Sequence, residues 1–257
     1  MRKGITIFSN QKGGIGKTTC CREISLYTAS LGKKVCIIDA DPQGNLTKSL
    51  TDNSLSGLYE ALKGEEYTLK SICENVFLLA GDRRLFALEK SLVGEIDAYT
   101  KLKELLLQDI FADFEYIFID SPPSLGILTG NGLAAATHIV IPMSPALYTL
   151  QGTNDLMDTI SKVRSTLNPS LKLLGVIINA YDSIPVITRQ IKEEIRESFG
   201  RIVFNTHLSK TIKIEEAIAQ KVSVTALKNL DKSRVKEEVT AISNELLERL
   251  EQDNGKG

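Results

Sequence analysis

The sequence predicts an α/β fold: a doubly wound, mostly parallel β-sheet with helices on both faces. Three observations predict it. Apolar runs alternate with helical periodicities along all 257 residues. The runs are continuous, as in Val35-Cys36-Ile37-Ile38 and Tyr116-Ile117-Phe118-Ile119, which is how strands covered on both faces read. Polar residues able to do chemistry follow the runs directly, at the strand ends where such sheets hold ligands.

The first run, Ile5-Thr6-Ile7-Phe8, leads into Asn10-Gln11-Lys12-Gly13-Gly14-Ile15-Gly16-Lys17-Thr18-Thr19 and then a helix over 17–31 closed by Gly32. Strand, glycine loop and helix together make a phosphate-binding loop. The glycines let the backbone N–H groups turn inward, and the helix N-terminus adds partial positive charge. Lys17 would reach the β- and γ-phosphates, and the Thr18 hydroxyl would hold Mg²⁺. The usual first glycine is replaced by Gln11, and Lys12 stands inside the loop.

The second strand, Val35–Ile38, delivers Asp39-Ala40-Asp41-Pro42-Gln43-Gly44-Asn45, two carboxylates on one side followed by a turn. Short helices are expected over 46–75, clearest at Ser54–Leu62. Val76–Ala80 reads as a short strand, followed by a helical stretch to about 92 and a long amphipathic helix from Glu95 to Phe111. Tyr116–Asp120 ends in one carboxylate and the stiff Ser121-Pro122-Pro123-Ser124. A helix over 125–136, a strand His138–Met143 and a helix from about Leu147 to Leu167 follow. The strand Lys172–Asn179, a helix over 184–199, a short strand Ile202–Phe204, a small helix near 211–219 and a final helix over 231–252 close the chain. Residues 1–252 read as one domain and 253–257 as a disordered tail.

Hydrophobic residues make up 42% and charged residues 25%, values that exclude a disordered chain. The net charge of −1 excludes a whole-protein attraction to nucleic acid or membrane, so such binding requires a local patch. Four cysteines without a C-x-x-C pair read as buried, reduced thiols of a cytosolic protein. No secretory h-region and no run of spanning length is present.

Residues 189–234 carry ten Lys/Arg against six Asp/Glu. Arg189, Lys192 and Arg196 recur on one helix face. With no aromatic residues between them, the pattern suits the phosphates of duplex DNA better than stacked single strands.

Lys12-Gly13-Gly14-Ile15-Gly16-Lys17-Thr18-Thr19 resembles the deviant Walker A loop of the ParA/MinD family of P-loop ATPases, within it the ParA/Soj type. Asp39–Asn45 and Asp120–Ser124 match that family's two switch motifs in order, and Pro142…Leu150-Gln151-Gly152 matches a further pattern. The resemblance implies ATP and Mg²⁺ as cofactors, with Gln11, Lys12, Gly13, Gly14, Ile15, Gly16, Lys17, Thr18 and Thr19 binding ATP. It implies that Thr18, Asp41 and Asp120 serve the metal. Lys12, Lys17 and Asp41 are the catalytic residues, Lys12 crossing a dimer interface, Asp41 orienting water and Asp39 supporting the loop. Asn179 reads either as an adenine-recognising amide or as a cap. Leu208 and Ser209 fall beside the base, where Ser209 stands for the family's proline and Ile218 for another. Lys210 and Lys213 keep positive charge where relatives have arginine, so Arg189, Lys192, Arg196, Lys210 and Lys213 are the expected DNA contacts.

The implied activity is slow ATP hydrolysis in chromosome or plasmid partition, by an ATP-bound homodimer on nonspecific duplex DNA. A ParB-like centromere-binding partner would stimulate it, in a cytoplasmic, nucleoid-associated setting. The start close to the first strand favours the short chromosomal type. The alternative is a MinD-like membrane-surface ATPase. Against it, the last helix carries three basic and six acidic residues between Ser233 and Asp253, so its stripe Val235, Val239, Ile242, Leu246 and Leu250 is expected in the core.

Overall fold

A computed structural model describes residues 4–52, 56–147, 150–182, 186–228 and 233–255, with only the backbone of 147 and 150–153. Seven strands form one sheet: β1 Gly4–Phe8, β2 Val35–Asp39, β3 Lys70–Cys73, β4 Val76–Leu79, β5 Tyr116–Asp120, β6 His138–Met143 and β7 Lys172–Ile178. Their order is β3-β4-β2-β5-β1-β6-β7, parallel except for β3 against β4. The described helices are α1 Lys17–Ser30, α2 Asn45–Leu50, α3 Leu58–Lys63, α4 Leu85–Ser91, α5 Lys101–Leu105, α6 Ile127–Ala135, α7 Leu150–Thr166, α8 Val186–Phe199, α9 Lys213–Ala219 and α10 Arg234–Asn254.

Strand side chains alternate between faces, and both faces are covered. Ile5, Ile7, Cys36, Ile38, Ile117, Ile119, Ile139 and Ile141 meet residues of α3 to α8, such as Leu58, Leu102, Leu128 and Leu156. Phe8, Val35, Ile37, Tyr116, Phe118 and Val140 meet α1, α2, α9 and α10. Val235, Val239, Ile242, Leu246 and Leu250 of α10 lie in this second layer, at about 1.5–3 kcal/mol per fully buried side chain. The register aligns Phe8 with Asp120 and Asp39 with Asp120. Three central strands therefore release their loops at one level.

The structure adds an edge strand and corrects four expectations. The antiparallel edge strand is β3; β4 lies inside it, parallel to β2. Lys70-Ser71-Ile72-Cys73 alternates between half-buried and exposed, an edge pattern without an apolar run. The expected helix from Glu95 to Phe111 shrinks to α5 and a 3₁₀ turn, Asp109–Phe111. Its apolar residues do not share a face: Leu102, Leu105 and Leu106 are buried, whereas Ile96, Leu107 and Ile110 are exposed. Of the helix expected over Ser54–Leu62, positions 54 and 55 lie outside the described residues, and Ser56 and Gly57 precede α3: a side chain at Gly57 would collide with the Ala80 backbone, and the Leu58 N–H donates to the Ala80 carbonyl (2.8 Å). The Ile202–Phe204 strand reduces to a single bridge, Val203 with Val176. Finally, α10 continues through Asp253, into the expected disordered tail, to Asn254, because Asp253 is held by Lys172 (2.7 Å) and His138 (2.9 Å).

Candidate nucleotide-binding site

The loop between β1 and α1 is pinned on both sides. Asn10 donates its amide to the Pro142 carbonyl (2.9 Å) and accepts the Lys12 N–H (3.3 Å). Asn179 donates to the Ile15 carbonyl (2.8 Å). Gly16 has φ +90°, and a side chain there would collide with the Asn179 amide, so only glycine fits. Lys17 is buried at 6% exposure and turns back to donate to the Lys12 carbonyl (2.9 Å). Burial lowers its pKa, and the Asp120 and Asp41 carboxylates pull it back up. A cation held under a ring of backbone N–H groups is an anion site.

Three carboxylates approach this loop from β2 and β5. Asp120 accepts the Thr18 hydroxyl at Oδ2 (2.6 Å), while its buried Oδ1 has no partner. Burial, and then repulsion from Asp39, raise the Asp120 pKa well above the carboxylate range. Asp39 accepts the Thr47 N–H and hydroxyl (both 2.8 Å) and the Asp41 N–H (3.2 Å), and burial pushes it up to about 6. It therefore braces the segment that carries Asp41. The Gly81 N–H donates to the Thr47 hydroxyl (3.0 Å), and a side chain at Gly81 would strike the Asp39 carbonyl, so this brace requires glycine too. Asp41 accepts the Gln43 N–H (2.9 Å) and lines the cleft.

The orphaned Asp120 oxygen beside a threonine hydroxyl suits a hard divalent cation. Among the described residues no three His, Cys, Asp or Glu side chains form a cage. That donor set matches magnesium, which keeps waters and takes phosphate oxygens instead of an all-protein shell.

The cleft encloses about 480 Å³. Gly13, Gly14, Gly16, Lys17, Thr18, Thr19, Asp41 and Pro123 line one end, and Asn179, Ala180, Ser209, Lys210, Thr211 and Ile214 line the other. Of the expected nucleotide contacts, the structure gathers most in this cleft. Ile15 is buried and its side chain does not line the cleft, so it can offer only backbone. Leu208 is a correction: it is buried among Ile177, Phe204 and Ile214, its N–H donating to the Ile178 carbonyl (2.8 Å), and its side chain does not reach the cleft. Tyr181 and Ser209 form a bridge that alternates the chain, so Ser209 faces the cleft and Leu208 the core. Asn179 lines the cleft, and its amide fastens the loop through the Ile15 carbonyl.

Sequence reasoning left Asn10, Thr47 and Glu238 without roles. Asn10 had a local signal, an amide at the mouth of a glycine loop. Glu238 had none, being one acid in an acidic helix.

The basic residues separate. Arg189 is exposed on α8. Lys192 stands over the Tyr181 ring (4.6 Å) with its ammonium 3.3 Å from His207 Nδ1. Arg196 donates to the Asn205 carbonyl (3.0 Å). Lys210 lines the cleft, and Lys213 pairs with Glu216 (2.8 Å). Arg234, at the start of α10, joins the α8 group through His207 Nε2 (3.0 Å).

A family model described as an AAA domain matches residues 3–173. The chromosome-partitioning ATPase Soj of Thermus thermophilus is 37% identical over 210 residues, covering 81% of this chain and 82% of that protein. Among solved structures, cobyrinic acid a,c-diamide synthase from Mycobacterium smegmatis, with bound ATP analog and magnesium, superposes with a TM-score of 0.81 at 29% identity, covering 93% of this chain and 92% of that one. An ATP complex of a McdA variant from Cyanothece shares the fold, with a TM-score of 0.82 at 22% identity and 96% of each chain covered.

Proposed function

The chain belongs to the ParA/Soj family of partition ATPases, and on that footing we propose that ATP and magnesium drive it from a monomer into a sandwich dimer that holds duplex DNA regardless of sequence. The observation that carries this reading is the pair of lysines in one loop. Lys17 is buried under its own cleft, whereas Lys12, among the described residues, is not part of that cleft's lining. A second cation at the rim serves a nucleotide approaching from another copy of the chain. It supplies the charge that an arginine finger supplies elsewhere.

Within each copy, the loop N–H groups and Lys17 bind the phosphates. Magnesium, when bound, neutralises phosphate charge, and Thr18, Asp120 and Asp41 are the residues that would hold it or its waters. Asp41, oriented by the Gln43 N–H and braced through Asp39, positions the attacking water. Pro122-Pro123 make the segment after Asp120 stiff, so the state of the γ-phosphate passes to the neighbouring surface. Dimerisation joins two sets of Arg189, Lys192 and Arg196, with Lys210 and Lys213 beside the cleft. Phosphate contacts made by one rigid body add, so DNA affinity rises with the dimer. Hydrolysis separates the copies and releases DNA. Basal turnover is slow, a ParB-like centromere-binding partner raises it, and the protein resides on the nucleoid in the cytoplasm.

Retention of nonspecific duplex in a gel, with ATP, with ADP and without nucleotide, tests this. Retention is expected with ATP only, weakening steeply with salt, and lost when Arg189 and Lys192 are changed to Glu. Equal retention in all three nucleotide states refutes the switch.

A further inference from the structure

Helix α10 takes one carboxylate into the interior with its apolar stripe. Glu238 is 6% exposed. Its Oε2 accepts the Ser209 backbone N–H (2.8 Å), and its Oε1 accepts the Ser209 hydroxyl (2.7 Å) and the Arg234 Nε–H (2.7 Å). His207 Nε2 stands 3.9 Å from the same oxygen. A buried carboxylate persists only where donors satisfy it, and three do so here.

Two of the three donors belong to Ser209, which lines the nucleotide cleft between Ala180 and Lys210. Ser209 has no regular sheet around it; it is joined to Tyr181 by an isolated bridge. The residue before that bridge partner, Ala180, is held at φ +52°, a conformation an alanine adopts only when its surroundings impose it. The wall therefore depends on a side chain from a helix 29 positions further along the chain.

We propose that Glu238 is a positioning residue for the nucleotide cleft: its two-point hold on Ser209 sets the wall 209–211 and through it the affinity for ATP. This rests on the ATP-binding reading above. Glu238 lies behind the wall and touches no reacting atom, so it acts on binding and leaves the chemical step alone. The phosphate loop has its own anchors in Asn10 and Asn179 and does not depend on Glu238.

The test measures ATP affinity by titration, kcat and KM by phosphate release, and melting temperature, for the wild type, E238Q, S209A, the double variant and R234A. Glu238→Gln is expected to weaken ATP binding about five- to tenfold, with kcat at saturating ATP within about twofold. Ser209→Ala is expected to weaken it less, and the double variant to be no worse than E238Q, because both changes remove one interaction. Arg234→Ala, which leaves Ser209 held, is expected to bind ATP within about twofold of the wild type. Unchanged affinity in E238Q, strictly additive losses, or an equal loss in R234A overturns the proposal. If E238Q does not fold, unchanged ATP affinity in S209A overturns it. A wild type that binds no ATP refutes the underlying reading instead.

Discussion

The two ends of the nucleotide cleft are built differently. At the phosphate end, residues 10–18 are chain neighbours, and Asp39, Asp41 and Asp120 arrive at strand ends that the register sets side by side. At the other end, segments from distant parts of the chain meet: 179–181 and 208–211 through a single backbone bridge, and Glu238 with Ser209 through side-chain hydrogen bonds. The first end is backbone geometry, which a substitution breaks outright. The second is a set of adjustable contacts, which a substitution tunes.

One buried pair ties the two ends. Arg22, on α1 behind the loop, is ion-paired with its neighbour Glu23, and both are fully buried. Arg22 also donates to the Val222 carbonyl (2.8 Å), and Glu23 accepts the Val224 N–H (2.8 Å) and the Ser223 hydroxyl (2.9 Å). The helix of the phosphate end is thereby fastened to the segment that follows α9, beside the far wall.

The largest effect is expected at the phosphate end. Asp120→Asn should lower ATP turnover about a hundredfold or more, in phosphate release under saturating magnesium. Its effect on stability should have the opposite sign. The raised pKa of Asp120 means that folding favours the protonated acid, so stability present at low pH is lost as pH rises through the folded value. The amide removes that loss, and the nucleotide-free variant should melt no lower than the wild type at pH 7. A variant that keeps its turnover would erase the contrast between the ends.

The tie between the ends comes next. Arg22→Met leaves Glu23 buried without its partner, at a cost of about 3–5 kcal/mol in denaturant unfolding. Adding Glu23→Leu should recover most of it. A single variant as stable as the wild type would mean the two ends are not joined here.

The smallest effect lies at the adjustable end. Burial first, then Lys192, Arg234 and Arg196 against the opposing Glu238, lower the His207 pKa from 6.5. A histidine held below its unfolded value stabilises the fold fully above 6.5 and loses that contribution as pH falls through the window beneath it. ATP affinity should fall by a factor of about two to three between roughly pH 7 and 5.5, and less in His207→Gln. An identical slope in the variant assigns the titration elsewhere.

Much of this was legible in the residues. The phosphate loop, the pair Asp39 and Asp41, and Asp120 followed by Pro122-Pro123 each depend on a strand ending in a short turn, and a strand buried on both faces announces itself as an apolar run. Other features were illegible for identifiable reasons. β3 is a half-exposed edge and carries no apolar run. The stretch 95–111 has enough leucines for a helix, but they face different ways once Leu102 and Leu105 are buried. Leu208 and Ser209 were placed together beside the base, yet one bridge to Tyr181 turns them to opposite sides.

The doubly wound sheet, the family and the phosphate loop follow from local pattern, because strand period, glycine freedom and helix-start charge act over a few residues. That Asn179 clamps the loop and that Glu238 holds Ser209 came from long-range packing alone. Those contacts join residues far apart in the chain. Their strength depends on a burial that no local pattern reports, since the same glutamate on a solvent-facing turn of α10 would bind nothing but water.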